Sequence, residues 1–493
     1  TGIVGRNGTG KTTLLDLIAG DQAPAEGHIA RNGSIARLRQ DAGAVPDQTV
    51  GAVLGVEAAQ ARLARILAGD GTADDLAEAD WTLEARLESA LAAVGLGGLA
   101  PAREAATLSG GERTRLELAA LELAGAELIL LDEPTNHLDA DGRALVAERL
   151  SRWPGGAVVV SHDRALLRQM DRIVELSPLG ATVYGGNYDL YAERKAIERV
   201  AAEHDLAVAE SEVARTAADA QRRAEGKARR DRAGRKKGMK GDMPKILRDF
   251  RAETAENSAG HDARLAARQA AEAEQTLVAA RERVERVRRM TLPLPETGLA
   301  AGRQVVTLQG VRVDGERGLR VGPVDLRLTG AERVAITGPN GSGKTTLLDL
   351  IAGRIMPSAG TVECAVPLAL LDQHAGLLRD DETLIEAWQR LNPDGTLNDA
   401  QAALARFLFR NVEAHKRVET LSGGERLRAA LACVMTGTRP PQLLVLDEPT
   451  NHLDLDAIEA VEAALAAWDG ALVVVSHDRD FLNAVVIERE IRL

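Results

Sequence analysis

The sequence predicts an α/β protein: two doubly wound domains in tandem, joined by a long helical hairpin. GRNGTGKT at Gly5–Thr12 recurs as GPNGSGKT at Gly338–Thr345. Both fit GxxxxGK(S/T), the glycine-rich loop that cradles phosphate between a strand and a helix N-terminus. Short apolar runs end in polar residues at matching places, ELILLD and QLLVLD in an acid, AVVVSHD and ALVVVSHD in Ser-His-Asp. Such runs read as buried parallel strands. Between the halves the composition shifts to Ala, Glu, Arg and Lys with periodic apolar residues, the pattern of paired helices.

Spacing shows that one unit has been written twice. Lys11 to Gln40 and Lys344 to Gln373 are both 29 residues, and Asp132 to His162 and Asp447 to His477 are both 30. LSGGER at Leu108–Arg113 recurs at Leu421–Arg426, and DEPTNHLD at Asp132–Asp139 recurs at Asp447–Asp454. Gln40 to Ser109 is 69 residues against 49 for Gln373 to Ser422, so the first copy carries about twenty more, expected near Ala58–Ala85. At 493 residues the chain exceeds the size at which one core keeps growing. The expected domains are 1–190, 191–292 and 293–493.

Cys364 and Cys433 form no CxxC pair, which argues against a disulfide framework or a zinc site and suits a reducing compartment, the cytoplasm. No apolar stretch approaches the roughly 20 residues that span a bilayer, and no secretory leader is visible. The second copy runs through VVTLQGVRV and VDLRL before its loop, whereas Thr1 stands four residues ahead of Gly5. The first domain is therefore expected to be truncated at its N-terminus, with a leading segment omitted.

In each copy TTLLDLIAG follows the loop with helical spacing and a terminal Gly, so the order is strand, loop, helix. A triphosphate and its metal then assign the side chains. Glycine-permitted dihedrals let the amides of Gly8–Lys11 and Gly341–Lys344 wrap phosphates, while Lys11 and Lys344 reach the β and γ oxygens. The phosphate-contacting sets are Gly5, Asn7, Gly8, Gly10, Lys11, Thr12 and Thr13, and Gly338, Asn340, Gly341, Gly343, Lys344, Thr345 and Thr346. Thr12 and Thr345 would hold magnesium, with Asp132 and Asp447 at strand ends on its second side. Glu133 and Glu448 are placed to orient or deprotonate the attacking water. His162 and His477, just past strand ends, reach the γ-phosphate, and Gln40 and Gln373 are candidate sensors of metal and water. Trp153 and Trp468 read as packing residues.

This ordered set of Gly-rich loop, Gln, LSGGE, strand-DE and strand-end His resembles the nucleotide-binding domain of ABC ATPases over most of both halves. The resemblance implies tandem P-loop ABC ATPase domains that bind ATP and Mg2+ and hydrolyse ATP. It implies that Ser109, Gly110 and Gly111 face the nucleotide of the Lys344 loop, and Ser422, Gly423 and Gly424 that of the Lys11 loop, so that ATP bridges two domains of one monomer. The family commonly stacks an aromatic on adenine near the position of Asp314 and Gly315, where this sequence has none.

The connector's apolar positions, Ile197, Val200, Val208, Val213, Leu265, Leu277, Val284 and Val287, suit two packed helices. Its turn, Gln221–Arg251, holds thirteen Lys or Arg against four Asp or Glu, a net of +9 in a chain of −12. A basic tip on an acidic body aims at a polyanion such as RNA or DNA. Gly234, Gly238, Gly241 and Pro244 predict a broken helix at that tip. Two fused ATPase domains, DEPTNHLD in each and a charged hairpin are similar to the ABC-F proteins. That resemblance implies clamping on the ribosome at the tRNA exit site, with the tip around Arg222–Arg251 entering toward P-site tRNA and the peptidyl-transferase region, to adjust translation or relieve antibiotics. The alternatives are a transporter's ATPase pair, for which the hairpin has no task, and a DNA-binding ATPase of the same family.

Overall fold

A computed structural model describes residues 1–38, 48–136, 138–178, 180–238, 267–280, 294–315, 318–373, 375–437 and 439–493. It divides into two compact units, one of residues 1–189 with 290–493 and one of residues 190–289.

Within the first unit the strands of the first half are β1 (Gly2–Gly5), β2 (Ile35–Leu38), β3 (Leu128–Asp132), β4 (Gly156–Val160), β5 (Arg172–Ser177) and β6 (Gly180–Gly185). They form one sheet in the order β2-β3-β4-β1-β5-β6, parallel except for the antiparallel β5–β6 edge. The second half contributes β7 (Gln304–Gly315), β8 (Gly318–Thr329), β9 (Arg333–Thr337), β10 (Ala359–Cys364), β11 (Leu368–Leu371), β12 (Leu443–Asp447), β13 (Ala471–Val475) and β14 (Arg489–Arg492). Its parallel sheet, β11-β12-β13-β9-β14, repeats the first five positions of the other, and β10-β7-β8 is a separate antiparallel sheet. Non-sequential neighbours around β1 and β9 are the crossovers of a doubly wound fold, and they put both phosphate loops at the C-terminal ends of central strands.

The apolar strand runs are buried: every residue of β12 and β13 is in the core. Trp468 is buried as expected, and Trp153 is half-buried. Around Trp388, Phe407 and Phe409 a helical layer packs on the signature-motif helix Gly423–Met435.

The extra twenty residues can be placed. Thr49 and Thr383 each cap a helix and each bridge an equivalent strand-like residue, Glu104 or Arg417. From Thr49 to the helix start at Leu83 is 34 residues, and from Thr383 to Leu397 it is 14. Helices Glu57–Ala68 and Ala73–Ala77 fill that difference, held together by Arg65 and Arg62 around Asp75.

In the second unit one helix, which begins at Tyr188, runs 51 residues to Gly238, about 75 Å at 1.5 Å per residue. Its described partner, residues 267–280, meets it through Leu277 and Ala280 against Leu206, Ala209 and Val213. Two expectations are corrected here. Ile197, Val200 and Val208 lie on the outer face rather than in the seam, because a seam at 206, 209 and 213 leaves them on other faces of a 3.6-residue turn. The helix also passes through Gly234 and ends only at Gly238, since one interior glycine costs only about 1 kcal/mol among strong helix formers. Leu265, Val284, Val287, Gly241 and Pro244 lie outside the described residues.

Candidate functional site

The phosphate loops come first. Gly8 and Gly10 take φ of 82° and 88°, Gly341 and Gly343 of 83° and 93°, so each loop turns through the left-handed region and points successive amides inward. Lys11 arches back over its loop, donating to the carbonyls of Gly5 and Arg6 at 2.7 and 3.1 Å; Lys344 does the same to Gly338 and Pro339 at 2.8 and 3.0 Å. Each ammonium is thereby held against its own loop. Burial lowers both lysines' pKa, against the pull of the neighbouring carboxylates.

The acids follow from β3 and β12. Asp132 is buried with neither carboxylate oxygen hydrogen-bonded. Asp447 accepts the Thr345 hydroxyl at 2.8 Å. Burial raises both pKa values. Hydroxyl and carboxylate oxygens are hard donors suited to Mg2+, and a buried carboxylate without a hydrogen bond fits a cation. Among the described residues no group of three or more His, Cys, Asp or Glu could hold a metal alone.

Glu133 and Glu448 adopt φ of 50° and 48°, a strained backbone for a non-glycine residue that occurs at the same place in both halves. The turn sets each carboxylate against the strand-end imidazole: His162 Nε2 lies 3.3 Å from Glu133 Oε1, and His477 Nε2 3.4 Å from Glu448 Oε1. Burial pushes Glu448 up to about 7 and raises Glu133 as well. Burial, then Lys344, lowers His477 to about 4, and burial lowers His162. Each pair is thus a neutral imidazole beside a carboxylate able to take a proton near neutrality, the property a general base needs.

The two halves meet at these loops. A cavity of about 450 Å³ is lined by Asn7, Lys11, Thr12, Asp132, Glu133 and His162 of the first half and by Gly423, Asn451 and His452 of the second. Asn7 N donates to Asp454 Oδ2 at 3.0 Å and Asn7 Nδ2 to the His452 carbonyl at 3.1 Å. In the reciprocal place Asn340 N donates to Asp139 Oδ2 at 3.0 Å. A second cavity of about 360 Å³ holds Lys344, Thr345, Gln373, Asp447, Glu448 and His477 with Leu138 from the first half.

The expected signature contacts are only partly assembled. Gly423 reaches the Lys11 cavity, whereas none of Ser109, Gly110 or Gly111 is among the described residues that line the Lys344 cavity. Both signature serines are occupied locally. The Ser109 hydroxyl donates to Glu112 Oε2 at 2.7 Å and accepts from the Glu112 amide at 3.3 Å, and Ser422 makes the same capping box with Glu425. To donate to an anion either hydroxyl must turn its proton away from the glutamate, and it can keep accepting the capping amide. Gln373 lines the Lys344 cavity; Gln40 lies outside the described residues.

Sequence reasoning missed three groups. Asp139 and Asp454 clamp the opposite loop while capping their own helices. Arg143 lines the Lys11 cavity, 3.5 Å from Asp163. Arg320, from β8, lines the Lys344 cavity one residue past Leu319, the register partner of Asp314, and a planar guanidinium can take the face of a base. The repeated aspartate was visible in both motifs as a helix cap, but its second oxygen's target lies in the other half and has no sequence signal.

Two glycine-rich loops, each closed by the motif turn of the opposite half, define the class: tandem ABC ATP-binding domains. A sequence model of the family described as ABC transporter matches residues 1–136 and 321–451. The tylosin resistance ATP-binding protein TlrC of Streptomyces fradiae is 35% identical, over 97% of this chain and 89% of that protein. The ATP-binding protein Uup of Escherichia coli is 31% identical, over 99% of this chain and 74% of its own length. Among solved structures, an archaeal ribosome recycling factor, aABCE1, in complex with the stalk protein aP1, has a TM-score of 0.61 at 21% identity, covering 100% of this chain and 82% of that one, a likeness of fold. The chain belongs to the ABC-F family of ATP-binding proteins. No helix among the described residues is long and apolar enough to cross a membrane.

Proposed function

We propose that this protein is a cytoplasmic, ribosome-directed ATPase whose two halves close on ATP, and whose basic connector tip around Arg222–Arg251 engages rRNA and tRNA near the peptidyl-transferase region. The observation that carries the reading is the composite cavity, in which Lys11, Asp132 and Glu133 of one half share a wall with Gly423 and the Asn451–His452 turn of the other. A triphosphate there would touch both halves at once. The tylosin resistance relative and the +9 tip favour a ribosomal target and relief of an antibiotic over a transporter role.

In this reading Lys11 and Lys344 leave their carbonyls for the β and γ oxygens, and the loop amides hold the phosphates. Thr12 with Asp132 and Thr345 with Asp447 would hold Mg2+, which would supply neutralisation of phosphate charge. Glu133 and Glu448 accept the proton of the attacking water, His162 and His477 fix those carboxylates, and Gln40 and Gln373 report on metal and water. Ser109–Gly111 and Ser422–Gly424 complete the cavities on closure. Loss of the γ-phosphate removes a shared anion, and the halves separate.

Replacing Glu133 and Glu448 together by Gln keeps binding and shape but removes the base. The double variant should pellet with ribosomes through a sucrose cushion in ATP and not in ADP. Pelleting that ignores the nucleotide, or that does not occur, rejects the proposal.

A further inference from the structure

The two halves repeat so closely that a charged difference inside one of them needs a reason. On β2, Arg37 is registered opposite Leu130 of β3; on β11 the residue opposite the equivalent Val445 is Leu370. Leu130 and Val445 each stand two residues before the metal-side aspartate, so Arg37 and Leu370 occupy one structural position. Yet one is a cation and the other an alkyl chain.

The Arg37 side chain is 8% exposed, and its guanidinium lies among three carboxylates. Nη1 pairs with Asp16 on the phosphate-loop helix and lies 3.1 Å from Asp21, while Nη2 is 3.9 Å from Asp132 Oδ2. In the second half Asp349, the counterpart of Asp16, has instead Arg354 at 3.6 Å, and that arginine is 47% exposed. Arg354 also reaches Asp372 at 3.5 Å. So Asp132 faces a fixed buried positive charge, and among the described ion pairs Asp447 has no such neighbour. Asp447 accepts the Thr345 hydroxyl at 2.8 Å.

We propose that Arg37 makes the Lys11 site the weaker of two unequal divalent-cation sites. A guanidinium already attracting Asp132 opposes a second cation at the same carboxylate, because like charges a few ångströms apart in a partly buried place repel by kilocalories even at an effective dielectric near 20. Asp16 and Asp21 together carry two negative charges against the arginine's one, but the guanidinium is the charge that reaches Asp132, at 3.9 Å, so the residual effect is on the order of tenfold in metal affinity. The same arginine holds Asp132 in place when no metal is present. The Lys344 site, with leucine in that position, keeps the tighter ion. The consequence for the cycle is an order of events: as free Mg2+ falls, the Lys11 site loses its ion first.

This inference rests on the reading of both cavities as metal–triphosphate sites. Its test is Mn2+ titration of the full chain followed by electron paramagnetic resonance, with ATP present and turnover blocked by Glu133→Gln and Glu448→Gln. Two classes of bound Mn2+ are expected, about tenfold apart, and Lys11→Ala should remove the weaker. Arg37→Leu should merge the classes by tightening the weaker about tenfold, and Arg37→Lys, which keeps the charge, should leave them apart. If Arg37→Leu does not fold, Leu370→Arg carries the question, with Asp349 there to receive the new guanidinium; it should weaken the tighter class by about tenfold. Two classes of equal affinity in the parent protein, or a titration that neither Arg37→Leu nor Leu370→Arg changes, overturns the role of Arg37 and leaves ATP binding standing. No ATP-dependent Mn2+ binding at all overturns the reading of the cavities themselves.

Discussion

Asp139 and Asp454 each divide one carboxylate between two tasks, the near oxygen capping a helix of their own half and the far oxygen receiving an amide of the opposite phosphate loop. A side chain so placed couples helix stability to domain contact, and a cap alone contributes roughly 1 kcal/mol. The buried glutamates show the opposite economy, since their ionised form is costly in the nucleotide-free protein. Glu448 ordinarily titrates at 4.5 and is raised by burial to about 7. Above pH 7 the folded protein therefore carries a buried charge that the unfolded chain would carry in water, and below 4.5 both states are neutral there. Glu448→Gln should accordingly stabilise the ATP-free protein above pH 7, by up to about 3 kcal/mol, with the gain fading as pH falls toward 4.5. Melting temperatures of variant and parent across that range measure it; a gain that grows with acid would refute the assignment. The sequence announced Lys11, Asp132 and Glu133 because their chemistry is local to a motif. It could not announce Arg37, Arg143 or Arg320, whose meaning comes from strand register and from the facing half.

At the scale of elements, periodicity read strands better than helices. β12 and β13 are buried on both faces and so read as unbroken apolar runs, which is why their ends, and the acids there, were legible. The long connector helix misled in one respect: its apolar residues lie on more than one face, and among the described residues it is Leu206, Ala209 and Val213 that pack against Leu277 and Ala280. The inserted helices were locatable by subtraction alone, because the rest of each copy keeps its internal distances. The connector's cationic end belongs to a different physics, in which counterion release, not packing, sets affinity. Changing Arg235, Lys236, Lys237 and Lys240 to Gln should lower ribosome affinity and flatten its dependence on salt, by up to about 3 in the log–log slope if all four touch phosphate. Pelleting at several KCl concentrations gives the slope. ATP turnover by the free protein should persist, and its parallel loss would mean misfolding rather than a nucleic-acid contact.

At the scale of the unit formed by the two halves, the pseudo-symmetry of the nucleotide sites is broken by ion pairs that join the halves elsewhere. Arg168, just past the helix Arg164–Leu167, makes a two-pronged pair with Asp480 of the second half at 2.8 and 2.9 Å and also bonds Asp189. Arg164 meets Glu462 at 2.8 Å with both side chains nearly buried. The symmetry-related arginine, Arg479, turns instead to Glu490 within its own half, and the counterpart of Glu462 is Ala147. Arg164, Arg168, Glu462 and Asp480 line neither nucleotide cavity, so they can hold one edge of the domain contact while ATP comes and goes at the places where the loops meet. Removing one partner of a buried pair strands the other, a cost of several kilocalories that Glu462, already raised to about 7 by burial, can partly escape by taking a proton. Arg164→Ala with Arg168→Ala should therefore loosen the halves only when ATP is absent. Amide hydrogen exchange should rise in the helix Leu455–Ala467 of the ATP-free double variant, and ATP should restore protection to the Glu133→Gln, Glu448→Gln background. Equal exchange in parent and variant without ATP would show that the edge is held by something other than these charges.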